Sequence, residues 1–107
     1  MKKGMIKGMV MYPNGEGKKF DLDYYCNKHL PLVAGLLGDS LKGSAVDKGL
    51  AGGAPGLPAP YAAVGTLYFD SIEAFETAFG PHMETIMADL PNYTNIEPIL
   101  LISEVIN

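Results

Sequence analysis

Two stretches of this chain are apolar on both of their alternating sets of residues, and that limits the fold more than any other feature. In residues 5–12 (MIKGMVMY), Ile6, Val10 and Tyr12 form one set and Met5, Met9 and Met11 the other, with Lys7 the lone charge. In residues 61–69 (YAAVGTLYF), Ala63, Gly65, Leu67 and Phe69 oppose Ala62, Val64, Thr66 and Tyr68. A strand that is apolar on both sides is covered on both sides, so these two belong in the middle of a sheet. Two further stretches have the marks of edge strands. Residues 41–49 (LKGSAVDKG) carry Lys42 and Lys48, and residues 96–106 (IEPILLISEVI) contain Pro98, which has no N–H for a ladder.

Helical signals separate these strands. Asp21 is placed to cap a helix over residues 22–37, its carboxylate accepting from the free N–H groups of the first turn. At 3.6 residues per turn, Leu22, Tyr25, Cys26, His29, Val33 and Leu36 fall on one side, so His29 points inward among apolar side chains. Pro31 cannot donate to the carbonyl of Asn27 and its ring presses on that turn, which predicts a kink just after His29. In the second half, Asp70 with Glu73 three residues on predicts a capping box, with Ile72, Phe75 and Phe79 as the inner stripe before Gly80-Pro81. Met83, Ile86, Met87 and Leu90 predict a short second segment ending at Pro91. Residues 50–60 (LAGGAPGLPAP) are too rich in Gly and Pro for regular structure. No G-K-[ST] follows them, so they read as a hairpin connection or a flap over a pocket mouth rather than a phosphate loop.

The order strand, helix, strand, strand, helix, strand is that of a ferredoxin-like α+β sandwich, a four-stranded antiparallel sheet with helices on one face. Helices on one face leave the other side of the central strands bare. In a chain of 107 residues, the expected cover is a second copy, sheet against sheet.

Composition narrows the partners. A hydrophobic content of 48% and a charged fraction of 19% exclude a disordered chain, and no apolar run approaches the roughly 20 residues of a membrane helix. A formal net charge of -4, with no basic cluster beyond the Lys2-Lys3 and Lys18-Lys19 pairs, argues against nucleic acid. The opening MKKGMIKGMVMYP is interrupted by Lys7 and Pro13 too early for a signal peptide. Cys26 has no disulfide partner, and one Cys with two His is too little for a structural zinc site, so a cytoplasmic protein without metal is expected.

His29 is the leading candidate for acid/base chemistry, because imidazole as a class exchanges protons near neutral pH. The plainer reading is a core histidine bonded to the carbonyl of Asn27. Tyr25, four residues earlier, is placed to orient the ring. Tyr12 at a strand end and Asp89, Asn92 and Tyr93 in a turn segment are further candidates, with plainer readings as a rim aromatic, a cap and turn residues. Met9 and Met87, with Phe79, would make an adaptable apolar lining for a small organic molecule, or simply fill the core. His82 is expected to be exposed. No dinucleotide fingerprint is present.

The YP at Tyr12-Pro13, FDLDYYCNKHLPLV over residues 20–33, DKGLAGG over residues 47–53 and DLPNYTNIEP over residues 89–98 with its closing ISEV resemble the EthD family, named for ethyl tert-butyl ether degradation. The resemblance spans nearly the whole chain. It implies a single domain over residues 1–107, and a dimeric α+β barrel in which each subunit holds a mostly apolar pocket. Some relatives in that superfamily bind haem through a histidine, but this chain is short for enclosing a porphyrin, and no cofactor is expected. The resemblance ties the family to no one reaction. The expectation is an enzyme that transfers a proton through His29 on a small, largely apolar molecule, of isomerase, cyclase, decarboxylase or oxidoreductase type. Its rival is a non-catalytic carrier in the degradation of an organic compound.

Overall fold

A computed structural model describes residues 2–107; Met1, the first residue of the expected domain, lies outside them. Strands β1 (Ile6–Pro13), β2 (Gly43–Lys48), β3 (Tyr61–Phe69) and β4 (Ile99–Glu104) form one sheet in the order β2-β3-β1-β4. Every neighbouring pair is antiparallel. The two-faced apolar strands are thus the central ones. The lysine-bearing strand and the strand that follows Pro98 are the edges. The element order is that of the ferredoxin-like α+β fold.

The first helix has three parts: α1 (Leu22–Tyr24), a π-helical turn (Tyr25–His29) and α2 (Leu30–Leu37). Asp21 caps it as expected, accepting from the Tyr24 N–H at 3.0 Å. The kink predicted after His29 is replaced by the wide turn before it, in which the Leu30 N–H reaches the carbonyl of Tyr25. The chain accommodates Pro31 by widening the preceding turn, a local change known at functional positions. Its buried stripe is consequently Tyr25, His29, Val33 and Leu37, four residues apart, while Cys26 is exposed.

After β3, helices α3 (Ile72–Phe79) and α4 (Met83–Ala88) flank a short turn at Gly80–His82. The cap of α3 is Ser71 rather than Asp70: the Ala74 N–H donates to the Ser71 hydroxyl at 3.0 Å. Ile72 and Met83, read as inward from their spacing, are exposed, and His82, expected in solvent, is half-buried. The core has two parts. Ile6, Val33, Leu37, Leu67, Phe69, Phe79 and Ile86 form the aliphatic part; Tyr12, Tyr25, Ala63, Tyr93 and Ile96 form an aromatic part at the other end of the same sheet face. No helix is long and apolar enough, among the described residues, to cross a membrane.

Candidate functional site

The aromatic half of the core is assembled by a clamp between two distant segments. The N–H of Asp21 donates to the carbonyl of Tyr93 at 2.8 Å, and the N–H of Lys19 donates to the Asn95 side chain at 2.9 Å. Phe20 and Thr94 form an isolated bridge. These bonds hold the residues after α4 against the start of the first helix. The clamp brings Asp89 and Tyr93 to His29.

His29 is 4% exposed. Its Nδ1 lies 2.9 Å from Oδ2 of Asp89. The other oxygen of Asp89 accepts from the Tyr24 hydroxyl at 2.7 Å and from the Asn92 amide at 2.9 Å. Burial acts upward on Asp89 as the largest single influence. The hydrogen bonds from Asn92, Tyr24 and His29, with the attraction of the imidazole, outweigh it and hold the carboxyl below its ordinary range. An ionised carboxylate only accepts, so Nδ1 carries a proton toward it, and in the imidazole tautomer that this fixes the lone pair is on Nε2. No protein group among the described residues bonds Nε2, and it is not among atoms sealed in without a partner. The imidazole is held in place by Tyr25, stacked at 5.1 Å between ring centres, and by Tyr93 at 4.7 Å.

A cavity of about 20 Å³ lies beside the ring, room for about one water. Tyr12, Tyr25, Tyr93, Phe79 and Met87 line it with His29, as do Val10, Gly65 and Leu67 from the sheet. The hydroxyls of Tyr12 and Tyr93 share a hydrogen bond at 2.8 Å. Burial, the leading cause in each case, raises the phenols of Tyr12, Tyr25 and Tyr93 well above their ordinary value. They stay protonated, as donors, through the whole neutral range. The arrangement therefore sets an imidazole with one nitrogen uncommitted to protein and three tyrosines around one mostly apolar enclosure.

Of the residues singled out from the sequence, His29, Tyr12, Tyr25, Phe79, Met87 and Tyr93 meet at this cavity, and Asp89 and Asn92 stand behind the imidazole. The plainer readings of Asp89 as a cap and of His29 as bonded to the Asn27 carbonyl do not hold, because each finds the other. Met9 lies elsewhere: it alternates with Gly8 and Val10 and so belongs to the sheet face turned away from the helices, opposite Thr66 and Leu101. The 50–60 loop supplies no residue to the cavity, so it is a hairpin connection and not a flap at this mouth. Two residues were missed. Tyr24, which is not among the apolar stripe of its helix, bonds Asp89; Gly65 makes room for Tyr25, and a glycine inside an apolar strand is the signal for such a close approach. Among the described residues no three His, Cys, Asp or Glu side chains gather as a metal site.

The EthD domain model matches residues 14–97 of the chain. An EthD-like protein from Ralstonia eutropha is 45% identical, with a TM-score of 0.90 over 99% of this chain and 96% of that one. An ethyl tert-butyl ether degradation (EthD) family protein from Bacillus halodurans is 20% identical, with a TM-score of 0.64 over 94% of this chain and 97% of its own. A protein from Thermobifida fusca described as dimeric, ferredoxin-like and of unknown function is 13% identical, with a TM-score of 0.58 over 98% and 94% of the two chains. The last two are likenesses of fold. No curated protein matches the chain.

Proposed function

The chain belongs to the EthD family, and on that premise we propose that it binds a small, largely apolar carbonyl or aromatic compound and transfers a proton on it through His29. The observation that carries this reading is the imidazole itself, with Nδ1 tied to Asp89, no protein hydrogen bond at Nε2, and the residue lining a mostly apolar cavity. A histidine that serves only the core has both nitrogens satisfied, by protein groups or by an enclosed water. In the proposed step Nε2 accepts a proton from the carbon next to a carbonyl. The C–H bonding pair becomes the C=C of an enol or enolate, and a phenolic O–H of the Tyr12–Tyr93 pair donates to the oxygen as charge develops there. Asp89 stabilises the imidazolium. Return of the proton to a different carbon completes an isomerisation, with no net oxidation or reduction. The active form is a homodimer joined through the sheet faces that the helices leave bare.

His29→Gln tests the reading. An amide of similar reach keeps one hydrogen bond to Asp89, so the melting temperature should stay near that of the native protein. Product formation from a panel of enones and aromatic ketones, followed by mass spectrometry, should fall by about 10²–10⁴-fold, as for loss of a general base. A large drop in melting temperature with ligand affinity unchanged would return His29 to a structural role. Binding by the native protein with no product would make the protein a carrier.

A further inference from the structure

We infer that the apolar groove between β4 and the α3–α4 helices is the second half of the binding site: it takes the hydrocarbon tail of an uncharged molecule whose single polar group sits at His29. The inference rests on the reading of His29 given above and adds to it the shape and class of the ligand. The cavity beside the imidazole holds little more than a reacting group. Next to it lies a groove of about 140 Å³, walled by Phe75, Met83, Leu100 and Ile102 over a floor at Gly8. Val10, Leu67 and Phe79 line both spaces, so the groove adjoins the cavity with these three side chains between them.

The groove exists because of particular residues. Leu100 and Ile102 pair with Val10 and Gly8, which puts them on the helix side of β4, yet they remain 43% and 38% exposed since the helices stop short of this edge. Gly8 keeps the floor open: a Cβ there would stand 3.2 Å from the Phe75 ring and 3.8 Å from Ile102. No polar side chain lines the groove, so a charged or multiply polar body entering it would lose water and gain no partner. The polar contacts are all at the His29 end. A ligand that satisfies both ends has one hydrogen-bonding head and an aliphatic or aromatic tail.

A homologous series of methyl ketones of increasing chain length is the probe, titrated calorimetrically into the native protein. Affinity should rise about fourfold for each added methylene until the groove is full, as expected for burying one more CH₂. Leu100→Gln, a change at a half-exposed edge position, should flatten that rise, and Gly8→Ala should end it at a shorter chain. A series that does not bind, or binds with no dependence on length, overturns the inference. So does a slope that Leu100→Gln leaves unchanged. If Leu100→Gln instead changes the mass seen in light scattering and not the slope, the groove is a contact between copies of the chain, and the inference is likewise wrong. The two readings fail separately: a length dependence that survives in His29→Gln with unchanged turnover supports the groove and removes His29 from the chemistry.

Discussion

The hydroxyl of Tyr25 occupies the space that a side chain on Gly65 would need, because a Cβ at that position would overlap it. Tyr25 in turn is stacked on the imidazole, so one absent methyl group on β3 helps to hold His29 square to Asp89. Gly65→Ala should therefore force the phenol out of place and lower stability by about 1–3 kcal/mol, the usual effect of overpacking. Adding Tyr25→Phe to that variant should restore most of the loss, since removing the hydroxyl removes the overlap; urea midpoints of the two singles and the double measure the coupling. Additive losses would refute it. The buried phenols make a second prediction. Tyr12, Tyr25 and Tyr93 are all raised, chiefly by burial, above an ordinary 10.0. As pH climbs, the unfolded chain releases these protons first. Their contribution is thus complete below 10.0 and declines from there toward the higher folded values, at up to about 1.4 kcal/mol per pH unit for each phenol. Tyr12→Phe should make the alkaline decline of stability shallower by about one proton's share, and an unchanged slope would contradict the assignment.

At the level of elements, the sequence was most legible where a strand or helix carries its own signature. Alternating apolar sets marked β1 and β3 as central, Lys42 and Pro98 marked the edges, and Asp21 capped the helix it was expected to cap. What failed depends on tertiary partners. The missing N–H of Pro31 was visible, but whether the backbone bends after His29 or widens before it is decided by what grips Tyr25 and His29, namely Gly65 and Asp89. The wide turn then resets the buried stripe to four-residue steps, which is why Cys26, inward at 3.6 residues per turn, is in solvent. Asp70 and Ser71 are both good caps one residue apart, and local sequence does not separate them. Met9 shows the converse of the strand rule. A strand apolar on both sides says that both faces are covered and nothing about which face meets the helices. The link from His29 to Asp89 spans 60 positions, so only the composition of each segment, not their meeting, was available beforehand.

For the whole molecule, the unanswered demand is the sheet face away from the helices. Met9, Met11, Ile99 and Leu101 lie on it, and Ile99 and Leu101 are 48% and 46% exposed. Because β4 alternates, the same strand that presents Leu101 to this face sends Leu100 and Ile102 into the groove on the other. An edge strand with four consecutive apolar residues exposed invites association unless something covers it. Two copies meeting sheet to sheet about a two-fold axis would cover it on that side and hold one wall of each groove in place. Light scattering at micromolar concentration should then give twice the chain's 11.4 kDa. Leu101→Lys is the decisive change, since symmetry brings a new ammonium from each copy into the same apolar interface, where neither finds an anion. The variant should scatter as an 11.4 kDa monomer with native-like circular dichroism, and its affinity for long methyl ketones should fall more than for short ones because β4 is no longer backed. A native chain that is already monomeric, or a Leu101→Lys protein that remains dimeric, would mean that this face is covered by something other than a second sheet.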